Sequence, residues 1–350
     1  MSAKITIAID AMGGDHAPKM VLKGANKALN RFPQVEFLLF GSEPEIAPLL
    51  AKMPRLAQRC TVHHTDEVIT GDAKPSQALR TGKKSSMWLA IDSVAQGQAD
   101  GVVSAGNTGA LMVMSKFMLR MIPGIDRPAI ASLIPTIRGE SVMLDLGANI
   151  ECSAENLVQF AVMGDAFART VLGLVQPSVG LLNVGSEELK GNDAVRAAAQ
   201  RLREEGSPVR FHGFVEGNDI GAGAVDVVVT DGFTGNVALK TAEGTAKFFA
   251  ELLRASFSHS IRAQIGYLFA AAALKKFKQR VDPRRYNGAV FLGLNGIAVK
   301  SHGGTDALGF ANAIGVAVDM KVNGIIDQIR QELSHMGPVP DPSKPKTAAL

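Results

Sequence analysis

The chain has 350 residues, 46% of them apolar, and carries a net charge of +4 with a pI near 9.0; that is ample for a buried core, and the mild basicity suits an acidic substrate, an acidic partner or an anionic membrane surface without choosing among them. One Trp and two Tyr are too few stacking platforms for a single-stranded nucleic-acid binder, so no nucleic-acid partner is expected. Cys60 and Cys152 stand alone, outside any C-x-x-C pair, which excludes a disulfide framework, makes zinc and thioredoxin-type chemistry poor readings, and points to a reducing, cytoplasmic compartment.

The run at 5–9 ends in Asp10 and reads as a strand rather than a signal peptide. Further apolar, β-branched runs follow at 35–40, 60–64, 101–104, 129–134, 142–146, 179–184 and 225–230. Most are continuous, as expected of parallel strands covered on both faces. Between several of them lie helical stretches. Residues 194–205 form a clear one, with Asn192 or Asp193 to cap its start and Gly206 to stop it. Strands alternating with helices predict a doubly wound α/β/α sandwich with a mostly parallel sheet. Residues 243–285 carry no strand signal and predict a protruding helical pair. The segment from Gly337, rich in Pro and polar residues, predicts a disordered tail at 337–350. With no repeat and no Gly/Ser linker, residues 1–336 read as one α/β/α domain.

In parallel sheets, ligands bind beyond the carboxyl ends of the strands. Five of these ends combine Gly with Asp or Asn. They are Asp10–Gly13–Gly14–Asp15–His16, Ser104–Gly106–Asn107–Thr108–Gly109, Asp145–Gly147–Asn149, Asn183–Gly185–Glu187–Lys190–Gly191–Asn192, and Asp231–Gly232–Thr234–Gly235–Asn236. Each residue type is also an ordinary turn former. Five such loops, each after a buried strand, point further, to a shared cleft for anions and carbonyl oxygens, since Gly admits close backbone approach and helix N-termini present free N–H groups. Dinucleotide, phosphate-loop, zinc-protease and nucleophile-elbow motifs are all missing from the sequence. His16 and His302 lie in polar, Gly-rich contexts, and Lys190 is flanked by Gly185 and Gly191.

These loops, together with Leu292–Gly293–Leu294–Asn295–Gly296 running to Ser301–His302–Gly303, resemble the signatures of the bacterial phosphate acyltransferase family (PlsX type) from residue 4 to about 330. Ala289–Val290–Phe291 stands where the family pattern leads one to expect Ala-Pro-Leu. The resemblance implies a fold like phosphotransacetylases and isocitrate or isopropylmalate dehydrogenases, a homodimer, and peripheral membrane association. It implies the conversion of acyl-[acyl-carrier protein] and inorganic phosphate to acyl phosphate and free carrier protein, in phospholipid (phosphatidic acid) synthesis. A downstream glycerol-3-phosphate acyltransferase is a further candidate partner.

Phosphate dianion is itself a nucleophile, so the protein must align the reactants and stabilise the tetrahedral oxyanion. Backbone N–H groups of 106–109 and 232–236 are the expected donors, with Asn236 among the catalytic candidates. Lys190 is expected to neutralise phosphate, and His16 or His302 to protonate the departing thiolate. Asp10, Gly13, Gly14, Asp15, Ser104, Gly106, Asn107, Thr108, Gly109, Asp145, Asn149, Asn183, Glu187, Asp231, Gly232, Thr234 and Gly235 complete the expected substrate site. Neither metal nor cofactor is required. In the helical pair, Ile265, Leu268 and Phe269, with the basic residues Arg262, Lys275 and Lys276, are the expected contacts for membrane or carrier protein. The rivals are an oxidoreductase of the dehydrogenase architecture, testable by absorbance with NAD(P), and a non-enzymatic scaffold.

Overall fold

A computed structural model describes residues 4–280 and 282–335. The sequence-predicted tail at 337–350 lies outside the described residues. The first half of the chain alternates strands and helices: β1 (Thr6–Asp10), α1 (Lys19–Ala28), β2 (Glu36–Gly41), α2 (Glu43–Leu50), α3 (Pro54–Ala57), β3 (Cys60–His64), α4 (Pro75–Thr81), α5 (Ser86–Ala95), β4 (Gly101–Ser104) and α6 (Thr108–Leu119). A hairpin of β5 (Ala129–Thr136) and β6 (Gly139–Leu144) follows, then α7 (Ala154–Leu172), β7 (Ser178–Leu182), α8 (Asp193–Leu202), β8 (Arg210–Val215), α9 (Gly217–Ala222) and β9 (Val227–Val229). Two long helices, α10 (Gly232–Ser258) and α11 (Ile261–Arg280), precede β10 (Ala289–Leu292), β11 (Ile297–Lys300), α12 (Ala307–Val322) and α13 (Ile325–His335).

All eleven strands join one sheet in the order β3-β2-β1-β4-β11-β10-β5-β6-β9-β7-β8. Alternate residues of each strand enter different apolar layers. Ile7, Ile9, Val103, Val227 and Val229 face α1, α7 and α12, while Ala8 and Val102 face α5, and Val228 enters the same second layer. This is the two-sided burial that the continuous apolar runs predict. Phe160, Phe167 and Phe310 fill one layer, and Met87, Met114 and Phe291 the other.

The sheet is not uniformly parallel. From β3 to β11 the strands run one way, and from β6 to β8 they run the opposite way; the antiparallel pairs β11–β10, β10–β5 and β5–β6 make the reversal. The carboxyl ends of β1, β4 and β11 therefore open at one end of the sheet, and those of β6, β7 and β9 at the other.

The helical pair begins earlier than the sequence suggests. α10 starts at Gly232, because the side chain of Asp231 accepts the N–H of Thr234 and caps the helix. Only Gly232 and Gly235 of its 27 residues are buried. Phe248, Phe249, Leu252 and Leu253 on α10, and Ile265, Leu268 and Phe269 on α11, remain exposed. No described helix is long and apolar enough to cross a membrane.

Candidate active site

The reversal of strand direction divides the sequence-predicted cleft. Loop 104–109 follows β4 and loop 231–236 follows β9, five strand spacings away in the sheet order, roughly 24 Å at ~4.8 Å per spacing. The two loops leave by opposite ends, and no hydrogen bond among the described residues links them. A single cleft holding Asn107, Thr108, Asp231 and Asn236 of one chain is thus overturned. His16 and His302 stand at the first end, Lys190 and Asn236 at the second.

The first end is built around Asp10, 2% exposed. Its carboxylate accepts Ser86 Oγ and Ser104 Oγ, each at 2.6 Å, and the Met12 N–H. Burial raises its pKa, against the pull of these donors. There is no room for a side chain at Gly13, where a Cβ would lie 2.5 Å from Asp10 Oδ2 and 2.7 Å from Gly106 N. Gly14 has a φ of +101° and lies against Ala105 and Gly303, which explains its glycine. Asn107 caps α6 through the Ala110 N–H, and its Nδ2 donates to the Gly71 and Ala73 carbonyls. Gly109 packs against Pro75. The exposed groups facing outward are Asp15, His16, Thr108 and His302. The His302 N–H donates to Asn287 Oδ1 at 2.9 Å, and its Nδ1 accepts the Gly304 N–H at 3.1 Å. A neutral His302 must then carry its proton on Nε2, as a donor.

Beneath these loops lies a residue not singled out from the sequence. Lys300 is 9% exposed, and its Nζ donates to the carbonyls of Ala105, at 3.4 Å, and Ser301. Burial pulls this ammonium down to about 8, opposed by the charges of Asp10 and Asp15. Ser86 and Asn287, likewise missed, hold Asp10 and the Ser301–His302 turn. The one signal available was a lysine ending a buried strand, LysSerHisGly, a position where a cation needs compensation.

The second end is organised by Asp145, fully buried. Its carboxylate takes N–H donors from Ile130, Gly147, Ala148 and Asn149, and from Asn149 Nδ2, at 2.7 to 3.1 Å. Burial raises its pKa and these donors oppose the rise. With both oxygens occupied, Asp145 shapes the turn rather than meeting a substrate. Asn149 is equally committed, to Asp145 and the Pro128 carbonyl. Asp231 accepts both the N–H and the Oγ1 of Thr234. Asn183 donates to the carbonyls of Gly185 and Lys190. These five expected contacts are loop-forming groups. Asn236 Nδ2 reaches back to the Leu146 carbonyl at 3.0 Å. At Gly235 a Cβ would lie 1.9 Å from the Asp145 carbonyl oxygen, and at Gly232 2.6 Å from that of Asn149.

A cavity of about 500 Å³ opens between the starts of α7, α8 and α10. Ile150, Leu157, Val195 and Phe233 form its apolar wall, with Asn192, Thr234 and the carboxylate residues Glu151 and Asp231 as polar lining. Asn192 caps α8 through the Val195 N–H. Lys190 lies two residues before it, exposed, as is Glu187. Cys152 also lines the cavity, and burial pushes its thiol up to about 11. It is therefore protonated near neutral pH and unsuited to an acyl-enzyme.

Such a sheet with glycine-rich strand ends has the architecture of phosphotransacylases. A phosphotransacetylase from Streptococcus pyogenes superposes with a TM-score of 0.62 at 18% identity, covering 92% of this chain and 95% of its own. The EutD phosphotransacetylase from Staphylococcus aureus gives 0.58 at 17% identity, over 91% and 94%. The family model described as "Fatty acid synthesis protein" matches residues 5–328. A phosphate acyltransferase from Paramagnetospirillum magneticum is 63% identical over 338 residues, 97% of this chain and 96% of its own. One from Rhodospirillum centenum is 64% identical over 336 residues, 96% and 95%. The chain belongs to the fatty acid synthesis protein family, among relatives named phosphate acyltransferase.

The role given to Asp145 has a direct consequence for stability. Replacing Asp145 by Asn sets an NH₂ group against buried N–H donors and should cost about 3 kcal/mol of folding free energy. Urea unfolding measures it; a loss below about 1 kcal/mol would mean that the turn does not depend on the carboxylate.

Proposed function

We propose that this chain is an acyl-[acyl-carrier protein]:phosphate acyltransferase serving phospholipid synthesis. A phosphate oxygen attacks the thioester carbonyl carbon, the C–S bond breaks, and the thiolate leaves with a proton. The products are acyl phosphate and free carrier protein. The observation that carries the reading is the second strand end, where a cation, helix N-termini and an apolar-walled cavity adjoin. Lys190 offsets phosphate charge, and Ile150, Val195 and Phe233 receive acyl carbons. The Phe233 N–H at the start of α10 and the second Nδ2 hydrogen of Asn236 meet the oxyanion, the N–H groups of Gly232, Thr234 and Gly235 being already bonded. His302, with its Nε2–H, is the proton donor for the thiolate.

Because one chain holds Lys190 and His302 at opposite ends of the sheet, this reading requires two chains. The protein works as a homodimer in which the second end of one protomer meets the first end of its partner. The unburied apolar face of α10 supports such a partner. The exposed residues Leu268 and Phe269 in the middle of α11 lie against an anionic membrane surface, a peripheral contact of a cytoplasmic enzyme. Arg262 and Lys275, both exposed, favour an acidic carrier protein there; the side chain of Lys276 lies outside the described residues. A glycerol-3-phosphate acyltransferase downstream consumes the product.

Incubation with an acyl-carrier thioester and phosphate should yield acyl phosphate by mass spectrometry. In Lys190→Ala the phosphate KM should rise roughly tenfold to a hundredfold with the fold intact. An unchanged KM removes Lys190 from the phosphate site.

At phosphate well below the raised KM of Lys190→Ala, chains bearing Lys190→Ala and chains bearing His302→Ala should each be nearly inactive. Co-refolded, they should regain about a quarter of wild-type activity, the statistical share of intact sites in mixed two-fold dimers. No recovery despite mixed dimers would reject the shared centre.

For the exposed face of α11, wild type should float with anionic liposomes, and Leu268→Glu/Phe269→Glu should not while remaining dimeric. Equal flotation of the two proteins, or none by wild type, would discard the membrane contact.

A further inference from the structure

Lys300 is the most deeply placed cation at the first strand end, and the mechanism so far makes no use of it. Three loops meet above it. The Asp15 N–H donates to the Gly303 carbonyl at 3.0 Å, and the Ser301 N–H to the Ser104 carbonyl at 2.8 Å. The Gly106 N–H donates to Ser104 Oγ at 3.0 Å. The Lys300 ammonium joins two of these loops directly, through the carbonyls of Ala105 and Ser301. Asp10 from β1 and Asp15 from the loop after it are the carboxylates whose charges act on it. His16 and His302 belong to the same loops, and Ser86 and Ser104 surround Asp10 as neutral donors. A neutral methylene chain of the same length would fill the space. It would leave the buried Asp10 without a compensating charge and both carbonyls without a donor.

We propose that Lys300 is a positioning residue for the acyl transfer: its ammonium clamps the 104–109 and 301–304 loops together and so holds the His302 Nε2–H where the departing thiolate needs it. The proposal rests on the acyltransferase reading for its chemistry, while the clamp itself is a property of the folded chain. Lys300 does not touch the substrate, and its effect falls on turnover rather than on phosphate binding at the Lys190 end.

The charge state of the clamp gives a signature that simple packing would not. With its folded pKa near 8, the ammonium is lost as pH rises above that value, and the protonated fraction falls tenfold per pH unit. Stability moves the other way. The folded pKa lies below the unfolded value, so the unfolded chain binds more protons between about 8 and 10.5, and stability from this group rises through that window. Loss of turnover over the same window is then not unfolding.

The test compares wild type with Lys300→Met and Lys300→Arg in two measurements. The first is hydrogen exchange at the amides of Asp15, Gly106 and Ser301. Lys300→Met at pH 7 should speed it at least tenfold, and Lys300→Arg should largely restore protection. The second is acyl-phosphate formation from acyl-carrier thioester and phosphate between pH 6.5 and 9.5. Wild-type kcat should fall above pH 8, Lys300→Arg should keep its kcat there, and Lys300→Met should be at least tenfold slower at pH 7 with phosphate KM within about twofold of wild type. Unchanged exchange in Lys300→Met overturns the clamp whatever the turnover. Faster exchange with unchanged kcat overturns its link to catalysis. Faster exchange in a protein whose wild type makes no acyl phosphate retires the acyltransferase reading and leaves the clamp. If Lys300→Met does not fold, the wild-type and Lys300→Arg pH profiles decide, and identical profiles overturn the proposal.

Discussion

The reversal of strand direction at the centre of the sheet is the constraint on which the rest of the structure depends. β5 and β6 are joined by the two residues 137–138. Parallel neighbours need a crossover of a dozen residues or more, so a connection this short forces an antiparallel pair. β10 inserts antiparallel beside β5 and β11, and the sheet then holds two parallel blocks pointing opposite ways. The hydrogen-bonded ladder and both apolar layers continue across the reversal, so stability is shared by the whole sheet. The carboxyl ends are not shared, and chemistry placed on them is divided between two ends.

That division explains which parts were legible in the sequence. Continuous β-branched runs place eight strands within a few residues, because two-sided burial leaves a composition signal. β8, β10 and β11 left weaker ones: β8 is a half-exposed edge with polar Arg210 and His212, and β10 and β11 are four residues each. Apolar runs also say nothing of direction. The clue was the spacing between the runs at 129–134 and 142–146, seven residues, too few for a parallel crossover. Reading each strand end as a lobe of one cleft ignored it. Lys300 was illegible for another reason. Its sequence neighbours resemble any strand end, and only the packing of three loops buries the ammonium.

The polar residues of the loops divide by what occupies their atoms. Asn107, Asn192 and Asp231 spend their side chains on helix starts, and Asp145 spends its own on five N–H groups. A buried carboxylate so engaged is dear to disturb, which makes it a reliable floor for a site and a poor ligand. Groups with atoms to spare are fewer: Lys190, Glu187, Thr108, His16 and His302. A motif of Gly, Asn and Asp thus reports mostly how a backbone is bent toward a ligand. The charge and the proton come from residues whose types the motif does not stress.

α10 connects these two kinds of role. Its first turn is fixed by contact: Gly235 rests so close to the Asp145 carbonyl that no side chain fits, and Asn236 hydrogen-bonds the Leu146 carbonyl. Ala238 and Leu239 still pack against the core, but beyond them the helix leaves the body of the chain, and its later apolar residues Phe248, Phe249, Leu252 and Leu253 remain exposed. Helices gain most of their stability from packing an apolar face, so this one is firmly held at one end and depends on α11 or a further partner at the other. A partner that grips the exposed face pulls on the same rigid rod that sets Asn236 and the Asp145 turn. With no flexible linker between them, assembly at the hairpin and the geometry of the second strand end are mechanically one variable.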